Sequence, residues 1–199
     1  TDSPYELNIS YFDAFREPDG DNRWHIPTFL ASQLIALAFQ GIPAVYIHCL
    51  TATPNDTLGV ERTGMTRSVN RRKWDLGELE RLIEDPQTDA GKVFPLMSDL
   101  LALRRRQPAF HPDAAQRIID LGESLFCFER NALDASQRIL VLANMTSETL
   151  RVALESLPPG LDTERELLGL NACLVENEHL IVEPYAVFWF ELPTSPAMP

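Results

Sequence analysis

The sequence predicts an α/β region followed by an all-β region, and two observations support this prediction. A nearly all-apolar helical segment near residues 26–39 is followed by a glycine and by a continuous apolar run, residues 42–48. From about residue 112 onward, short strand-like runs alternate with turn residues at a spacing of about ten residues. Helix, tight turn and apolar strand form one step of an α/β fold. Regularly spaced short strands are typical of an antiparallel sandwich.

The composition is that of a soluble globular protein with an acidic surface. The chain has 199 residues, 45% of them hydrophobic, and a net charge of −12. No stretch reaches ~18 consecutive apolar residues, so we expect no membrane span. The excess of acidic residues argues against nucleic acid as a partner, because phosphate binding needs clustered cations.

The cysteines and histidines predict no special chemistry. Three cysteines without a CxxC spacing indicate neither a disulfide framework nor a zinc site. The four histidines show no metal-ligand spacing either. We therefore expect no metal, no cofactor and a reducing, cytoplasmic compartment.

The first region begins with the predicted helix and strand. Pro27 suits the first turn of a helix over about 26–39, and Gly41 is a typical residue to end it. The run 42–48 shows little alternation of apolar and polar residues. Such a run predicts a parallel strand that is buried on both faces.

Two more helices follow in the first region. Asp75 is a good N-cap for a helix over 75–86, which carries leucines at helical spacing. The segment 91–110 predicts a longer helix with three arginines, 104–106, near its C-terminus, where they complement the helix dipole. Pro108 is expected to end this helix.

The second region contains the strand-like runs and is expected to form the sandwich. Phe126, Phe128 and Trp189 fit core positions better than an exposed row of sugar-binding aromatics. We therefore predict two domains, residues 1–111 and 112–199. The strand-like runs are QRIIDLG, SLFCFERNA, RILVLANMT, LRVALESL, ERELLGL and HLIVEPYAVFWFEL.

Several segments resemble the α-amylase superfamily (glycoside hydrolase family 13), in the order found there. GIPAVYIH (41–48) resembles its eighth barrel strand and LLALRRRQPAF (100–110) the following helix. RILVLANMTSETLRVAL (138–154) and VEPYAVFWFEL (182–192) resemble the closing β-sandwich. The resemblance implies the last portion of a (β/α)8 TIM barrel followed by a C-terminal antiparallel β-sandwich domain.

Two segments resemble the sucrose phosphorylase branch of this superfamily. SPYELNISYFDAF (3–15) looks like the branch's substrate-shaping loop, and RTGMTRSVNRRKW (62–74) contains its Gly-x-x-Arg-x-x-Asn-Arg pattern. Two residues separate the glycine from the first arginine here, whereas in sucrose phosphorylase proper the two are adjacent. TPNDTLGVERTG (53–64) is closer to the wider group, which includes enzymes that act on sucrose phosphate and glucosylglycerate. The pattern falls on Gly64, Arg67, Asn70 and Arg71.

The resemblance implies a retaining phosphorylase that transfers glucose from an α-glucoside to inorganic phosphate, giving glucose 1-phosphate. Retaining chemistry needs two carboxyl groups ~5–5.5 Å apart. The superfamily's catalytic carboxylates lie upstream of the matched segments, so we expect no catalytic residue in this chain and no activity of this chain alone. Asp13 and Asp56 are candidates by position only, since neither has the sequence context of the family's nucleophile.

The resemblance assigns substrate-binding roles to four residues. Arg67 corresponds to an arginine deep in the glucose subsite, where it should pair with an acidic group because a buried unpaired guanidinium is costly. Tyr5 and Glu6 match the aromatic–polar pair that faces the acceptor. Ser3 and Glu6 replace the aspartate and glutamine of the sucrose-specific enzyme, which argues against sucrose as the substrate.

The loop after the predicted strand is expected to face the active site. The active site of a (β/α)8 barrel lies at the carboxyl ends of its strands. Strand 42–48 would therefore bring His48 and the loop 49–70 to that side. The other cations near this loop are expected to be solvated or ion-paired, and the sequence leaves open which of them has a phosphate-binding role; they are Arg62, Arg71, Arg72 and Lys73.

Two alternatives to the phosphorylase stay open. One is an α-glucoside hydrolase or transglucosylase of the same superfamily, and the other is a non-catalytic carbohydrate-binding β module. The expected partners are the α-glucoside, inorganic phosphate and the upstream part of the same barrel. Unpaired strand edges would also permit self-association of the chain.

Overall fold

All α-helices that the structure describes precede the β-strands along the chain. The computed structural model describes residues 7–17, 20 and 22–194. The helices are α1 His25–Ala38, α2 Ile47–Leu50, α3 Thr57–Thr63, α4 Leu76–Glu84 and α5 Asp89–Arg105. The strands are β1 Ala115–Ile119, β2 Leu125–Asn131, β3 Arg138–Asn144, β4 Leu150–Ala153, β5 Leu174–Glu176, β6 His179–Val182 and β7 Val187–Leu192.

The chain divides into two compact units, and each unit combines two separate stretches of the sequence. The first unit comprises residues 1–29 and 44–99, and the second unit comprises 30–43 and 100–199. The second unit therefore contains the later part of α1 and the end of α5 together with every described strand. The domain division expected at residue 111 stays a prediction.

The helices predicted from local signals are confirmed, with small shifts at their ends. The side chain of Asp75 accepts a hydrogen bond of 3.0 Å from the backbone N–H of Glu78 and so caps α4 as expected. α5 ends at Arg105, earlier than predicted, and Pro108–Phe110 form a 3-10 turn instead. Gln107 is extended, because the residue before a proline avoids the helical region.

The parallel strand predicted at 42–48 is wrong. Residues 42–46 have no regular secondary structure, and Ile47–Leu50 form the short helix α2. Ile42 is 85% exposed and Tyr46 is 53% exposed, so the run is not covered on both faces. A strand needs a hydrogen-bonded neighbour, and among the described residues no strand occurs before Ala115. The apolar run therefore pairs with no described strand.

The second unit contains two antiparallel sheets, which confirms the antiparallel strands predicted after residue 112. The larger sheet has the order β1-β2-β3-β7 and the smaller one β4-β6-β5. Leu140 lies opposite Phe190 in the larger sheet, and Val152 lies opposite Leu180 in the smaller one. Side chains of both sheets join one hydrophobic core. The buried residues of this core are Cys127, Leu140, Leu142, Val152, Leu157, Leu180, Val182, Ala186, Phe188, Phe190 and Leu192.

The larger sheet is covered on its second face as well, which explains why β3 is buried along almost its whole length. The ring of Phe39 stacks on Phe128 with centroids 5.4 Å apart. The ring of Phe110 meets Trp189 edge-on at 4.7 Å. Phe128 and Trp189 are fully buried, as the sequence predicted.

A buried arginine fixes the end of α1 within the second unit. Arg130 donates to the carbonyl oxygens of Ala38 at 2.6 Å and His111 at 2.8 Å. Arg104 donates to the carbonyl of Leu37 at 2.6 Å. The negative end of the helix dipole favours cations at this place. Burial and the nearby charge of Arg104 lower the pKa of Arg130 to about 10.

Two strand predictions in the second region need correction. Residues 164–170 form no strand, since only a single bridge joins Glu166 to Phe190 and the segment begins with the 3-10 turn Thr163–Arg165. The run 179–192 forms two strands, β6 and β7, joined by a turn in which Tyr185 adopts a left-handed backbone with φ 56°.

Candidate functional site

A cavity of about 440 Å³ in the first unit brings together three segments that are distant in sequence. Its volume lies within the ~300–1,000 Å³ that is usual for small-molecule sites. Each segment belongs to one of the stretches that carry the family resemblance. The residues that line this cavity are Ile9, Ser10, Tyr11, Phe12, Tyr46, His48, Cys49, Arg67, Asn70 and Arg71.

The first segment is held by a loop further along the chain. The backbone N–H of Ser10 donates to Asn55 Oδ1 at 2.7 Å, and the N–H of Asn55 donates to Asp13 Oδ2 at 2.8 Å. Phe12 is buried against His25, with ring centroids 4.1 Å apart. These contacts fix the main chain next to Tyr11, whose ring stays 48% exposed at the cavity.

The Arg67 segment is shaped by a helix end that requires glycine. The side chain of Asp56 caps α3 by accepting from the N–H of Gly59 at 2.8 Å. α3 then ends at Gly64, which adopts φ 67° in the left-handed region. The 3-10 turn Thr66–Asn70 follows directly and carries Arg67 to the cavity.

Two contacts hold this turn against the rest of the first unit. The N–H of Asp56 donates to the carbonyl of buried Val69 at 2.8 Å. The Asn70 side-chain amide donates to the carbonyl of Ile9 at 3.3 Å. Asn70 therefore joins the arginine-bearing turn to the first cavity segment.

His48 forms part of the cavity wall and is almost completely buried, with 7% of its surface exposed. Its Nε2 lies 3.0 Å from the carbonyl oxygen of Arg72, so Nε2 carries the proton and donates. Nδ1 is buried without a hydrogen-bond partner among the described residues. The imidazole thus tethers the main chain immediately after Arg71.

Cys49 also lines the cavity, and its surroundings disfavour the reactive thiolate. Burial raises the pKa of its thiol, and this outweighs the lowering by a backbone hydrogen bond from Tyr46. A thiol with a raised pKa stays protonated near neutral pH, and the thiolate is the reactive form.

The cavity wall is cationic although the chain as a whole is acidic. Two of the described lining residues are arginines, one is a histidine and none is acidic. The net charge of the whole chain is −12. A cleft lined by charges of one sign attracts ligands of the opposite sign, so this wall favours an anionic ligand.

Of the four predicted substrate-binding residues, the structure describes Arg67 alone. Ser3, Tyr5 and Glu6 lie outside the described residues. Arg67 lines the cavity but is exposed in this chain instead of deeply buried, and its role in the glucose subsite stays a prediction.

The carboxylates that were candidates by position have structural partners. Asp13 Oδ1 lies 3.1 Å from Arg16 Nε, while its other oxygen accepts from Asn55. Asp56 is the N-cap of α3. Neither aspartate is among the residues that line the cavity.

Sequence reasoning did not single out two aromatic residues of the cavity, Tyr11 and Tyr46. Both rings are about half exposed, so each offers an apolar face and a hydroxyl to a ligand. The sequence could have pointed to both tyrosines as site residues, because each lies in a segment that carries the family resemblance. Exposure of the rings could not be read from the sequence.

The described part of the chain contains neither a cluster of metal ligands nor a membrane-spanning helix. There, no group of three or more His, Cys, Asp or Glu side chains is arranged to hold a metal ion. No described helix combines the length and apolar character that crossing a membrane requires.

Comparison with curated proteins finds phosphorylases. The chain is 44% identical over 124 residues to glucosylglycerate phosphorylase of Allomeiothermus silvanus, covering 61% of this chain and 22% of the relative. It is 31% identical over 192 residues to glucosylglycerate phosphorylase of Escherichia coli, covering 96% of this chain and 33% of the relative. Sucrose phosphorylase of Agrobacterium vitis is 28% identical over 127 residues, with 64% and 23% covered. The chain therefore spans about a fifth to a third of the length of these relatives.

Solved structures share the fold at low sequence identity. Trehalulose synthase MutB of Pseudomonas mesoacidophila matches with a TM-score of 0.65 and 16% identity, over 94% of this chain and 42% of that one. An isomaltulose synthase variant of Erwinia rhapontici in complex with D-glucose matches with a TM-score of 0.64 and 15% identity, over 93% and 41%. Such identities show the fold alone. No family model matches the chain.

These findings confirm the resemblance carried by the sequence segments. The chain belongs to the α-amylase superfamily. Within it, the chain belongs to the sucrose phosphorylase-like branch, together with the glucosylglycerate and sucrose phosphorylases that it matches.

Proposed function

We propose that this chain is the C-terminal part of a glucosyl-transferring phosphorylase, which converts an α-glucoside and inorganic phosphate into glucose 1-phosphate. Residues 1–111 form the last portion of its (β/α)8 barrel, and residues 112–199 form its C-terminal β domain. The catalytic carboxylates are supplied by preceding barrel segments, and the protein acts in the cytoplasm. The names of the matched relatives support this reaction.

The cationic cavity of the first unit is the observation that carries this proposal. It gathers the two segments that resemble the sucrose phosphorylase branch and the segment that resembles the superfamily's eighth barrel strand, although the three are separated by about 35 and 20 residues along the chain. Both the phosphate and the glucose 1-phosphate of a phosphorylase are anions. A wall with two arginines and no acidic residue, among those described, suits them.

Glucosylglycerate is the substrate that fits best. The glycerate portion carries a carboxylate, which the cationic wall favours, whereas the fructose portion of sucrose is neutral. Two of the three relatives described above are glucosylglycerate phosphorylases, and they share more identity with the chain than the sucrose phosphorylase does. Ser3 and Glu6 also depart from the sucrose-specific pattern.

Each predicted binding residue has a role in this proposal. Arg67 uses its planar fork of donors to hold glucose hydroxyls. Ser3, Tyr5 and Glu6 face the acceptor side. The upstream carboxylates perform the retaining chemistry, in which a covalent glucosyl intermediate forms and phosphate takes the place of the second-step water.

A carbohydrate-binding β module finds little support in the second unit. The aromatic side chains of β7, Phe188, Trp189 and Phe190, are fully buried. Their rings pack into the protein and offer no exposed face to a sugar.

The test uses the enzyme that contains this chain together with its preceding barrel segments. Glucosylglycerate, sucrose and sucrose phosphate are offered separately, with and without inorganic phosphate, and glucose 1-phosphate is measured. We expect phosphate-dependent release from glucosylglycerate. Release of free glucose regardless of phosphate would show a hydrolase, and transfer to a second sugar would show a transglucosylase.

A further inference from the structure

The structure distinguishes among the four cations whose roles the sequence left open. Arg71 lines the cavity, whereas Arg62, Arg72 and Lys73 are not among its lining residues. The guanidinium of Arg72 is already engaged. Its Nη2 lies 2.9 Å from Glu78 Oε1, and its Cζ lies 3.7 Å from the ring centroid of Trp74.

The Arg71 side chain is unengaged in the part of the chain that the structure describes. It is exposed and makes no hydrogen bond or ion pair there. All donors of its guanidinium are therefore open to a ligand in the cavity. An arginine fork can bind both oxygens of a carboxylate or phosphate at once.

The main chain on both sides of Arg71 is nevertheless held in place. Asn70, the preceding residue, donates to the carbonyl of Ile9 at 3.3 Å. The carbonyl of Arg72, the following residue, accepts from His48 Nε2 at 3.0 Å. The N–H of Arg71 itself donates to the carbonyl of Ser68 at 3.1 Å. A fixed backbone with a free side chain reduces the ordering cost of binding.

We propose that Arg71 binds an oxyanion group of the reacting molecules in this cavity, either the carboxylate of the acceptor or the phosphate. The inference rests on the proposed function, and it assigns to Arg71 a role in specificity that is separate from that of Arg67. His48 and Asn70 position Arg71 through its neighbours. No acidic residue is among the described lining residues, so none of them competes with the ligand for the guanidinium.

The test compares two acceptors in the synthetic direction, with glucose 1-phosphate as the donor. Glycerate carries a carboxylate, and glycerol is its neutral analogue. In the enzyme that contains this chain, Arg71→Gln should lower kcat/KM for glycerate by about 10- to 100-fold, as expected for loss of a charge-assisted pair. The value for glycerol should stay within about threefold.

Arg62→Gln is the matched control. It removes the same charge from a nearby residue, at the end of α3, that is exposed and does not line the cavity. Its kcat/KM for both acceptors should equal that of the wild type. Arg71→Lys keeps the charge but loses the fork, so its glycerate value should fall between those of the wild type and Arg71→Gln.

The pattern of effects identifies the source of the oxyanion. A loss confined to glycerate identifies the acceptor carboxylate. An equal loss with both acceptors, accompanied by a higher KM for glucose 1-phosphate and for inorganic phosphate in phosphorolysis, identifies the phosphate. Unchanged constants for Arg71→Gln in both directions would overturn the inference while leaving a phosphate-dependent wild type, and hence the proposed function, intact.

A binding measurement keeps the inference testable if the wild type shows no phosphorolysis. Glycerate and inorganic phosphate are titrated separately into the enzyme that contains this chain, and NMR shifts of the arginine side chains are followed. We expect the Arg71 Nε–H signal to shift with one titrant, while the Arg62 signal does not. Identical responses of the two arginines to both titrants would overturn the inference.

Discussion

In the second unit, the larger sheet buries side chains on both faces, whereas the first unit has no strand among its described residues. The second unit is stabilised chiefly by apolar burial in a core that two sheets share. The cavity-forming part of the first unit relies on hydrogen bonds between side chains and the main chain, such as those of Asn55 and Asn70. Each bond of that kind contributes only about 1 kcal/mol.

The packed core that stabilises the fold and the cavity that forms the candidate site therefore lie in different units. The sheets of the second unit tolerate little change in side-chain volume, because their core is closely packed. The cavity segments of the first unit are fixed by a few specific bonds and one glycine, so single changes there should alter binding more than folding.

Truncation of the second unit's core should have the largest effect on stability. Phe190 is fully buried and stacks on Phe188 with ring centroids 5.3 Å apart. Phe190→Ala should lower the free energy of unfolding by about 3–5 kcal/mol, as measured by guanidinium denaturation followed by circular dichroism. Leu133→Ala removes an exposed side chain of the same unit and should change it by less than about 0.5 kcal/mol. Equal effects of the two variants would break the comparison.

A buried carboxylate should make the stability of the second unit depend on pH. Burial alone would raise the pKa of Glu129, but hydrogen bonds and charges of Arg138 and Arg117, at 2.8 and 2.7 Å, together hold that pKa below its usual range. Because the folded pKa is lowered, the stabilisation is complete above about pH 4.3 and is lost as the pH falls through the folded pKa.

Glu129→Gln should therefore lower the free energy of unfolding at pH 7 by about 1–3 kcal/mol and flatten its decline below about pH 4.3. Denaturation curves at several pH values measure both effects. Glu176→Gln breaks an exposed pair with Arg151 and is the control, with an expected change of about 0–1 kcal/mol. An unaltered acid decline in Glu129→Gln would contradict the assignment.

The glycine that shapes the cavity loop should affect the site more than the fold. Gly64→Ala places a side chain at φ 67°, where no atom lies within 4 Å of the added Cβ, so the cost is one of backbone conformation. We expect a loss of about 1 kcal/mol in stability and a rise in KM in the enzyme that contains this chain. Gly77→Ala, inside α4, is a control that should be neutral or stabilising. Matching kinetics of the two variants would argue against the positioning role of Gly64.

The smallest effect is expected from the partly exposed Arg72–Glu78 pair of the first unit. Glu78→Gln should lower stability by about 0.5 kcal/mol or less, because exposed ion pairs contribute little. Arg72 retains its contact with the Trp74 ring in this variant. A salt titration of the melting temperature measures the difference, which should vanish at high ionic strength. A loss above about 2 kcal/mol would show that the first unit depends on charge far more than its hydrogen bonds indicate.

Local signals in the sequence were enough for several elements of the fold and for the family. The N-cap at Asp75 and the leucine spacing after it determined α4, since both act within a few residues. Short apolar runs between turn residues determined most strands after residue 112. The Gly64, Arg67, Asn70 and Arg71 pattern located one wall of the cavity, because its four residues share one helix end and one turn.

Tertiary structure decided what depends on distant partners. The run 42–48 has the composition of a strand, but a strand forms only where another strand offers hydrogen bonds, and no described strand pairs with this run. Among the four cations near this loop, only Arg71 lines the cavity. Its neighbours Asn70 and Arg72 are held there by Ile9 and His48, which lie far away in sequence. The sequence by itself determined the local elements and the branch of the family, since those signals are encoded in neighbouring residues. Only the tertiary structure decided which of the four cations with open roles lines the cavity, because that depends on which distant segments pack together.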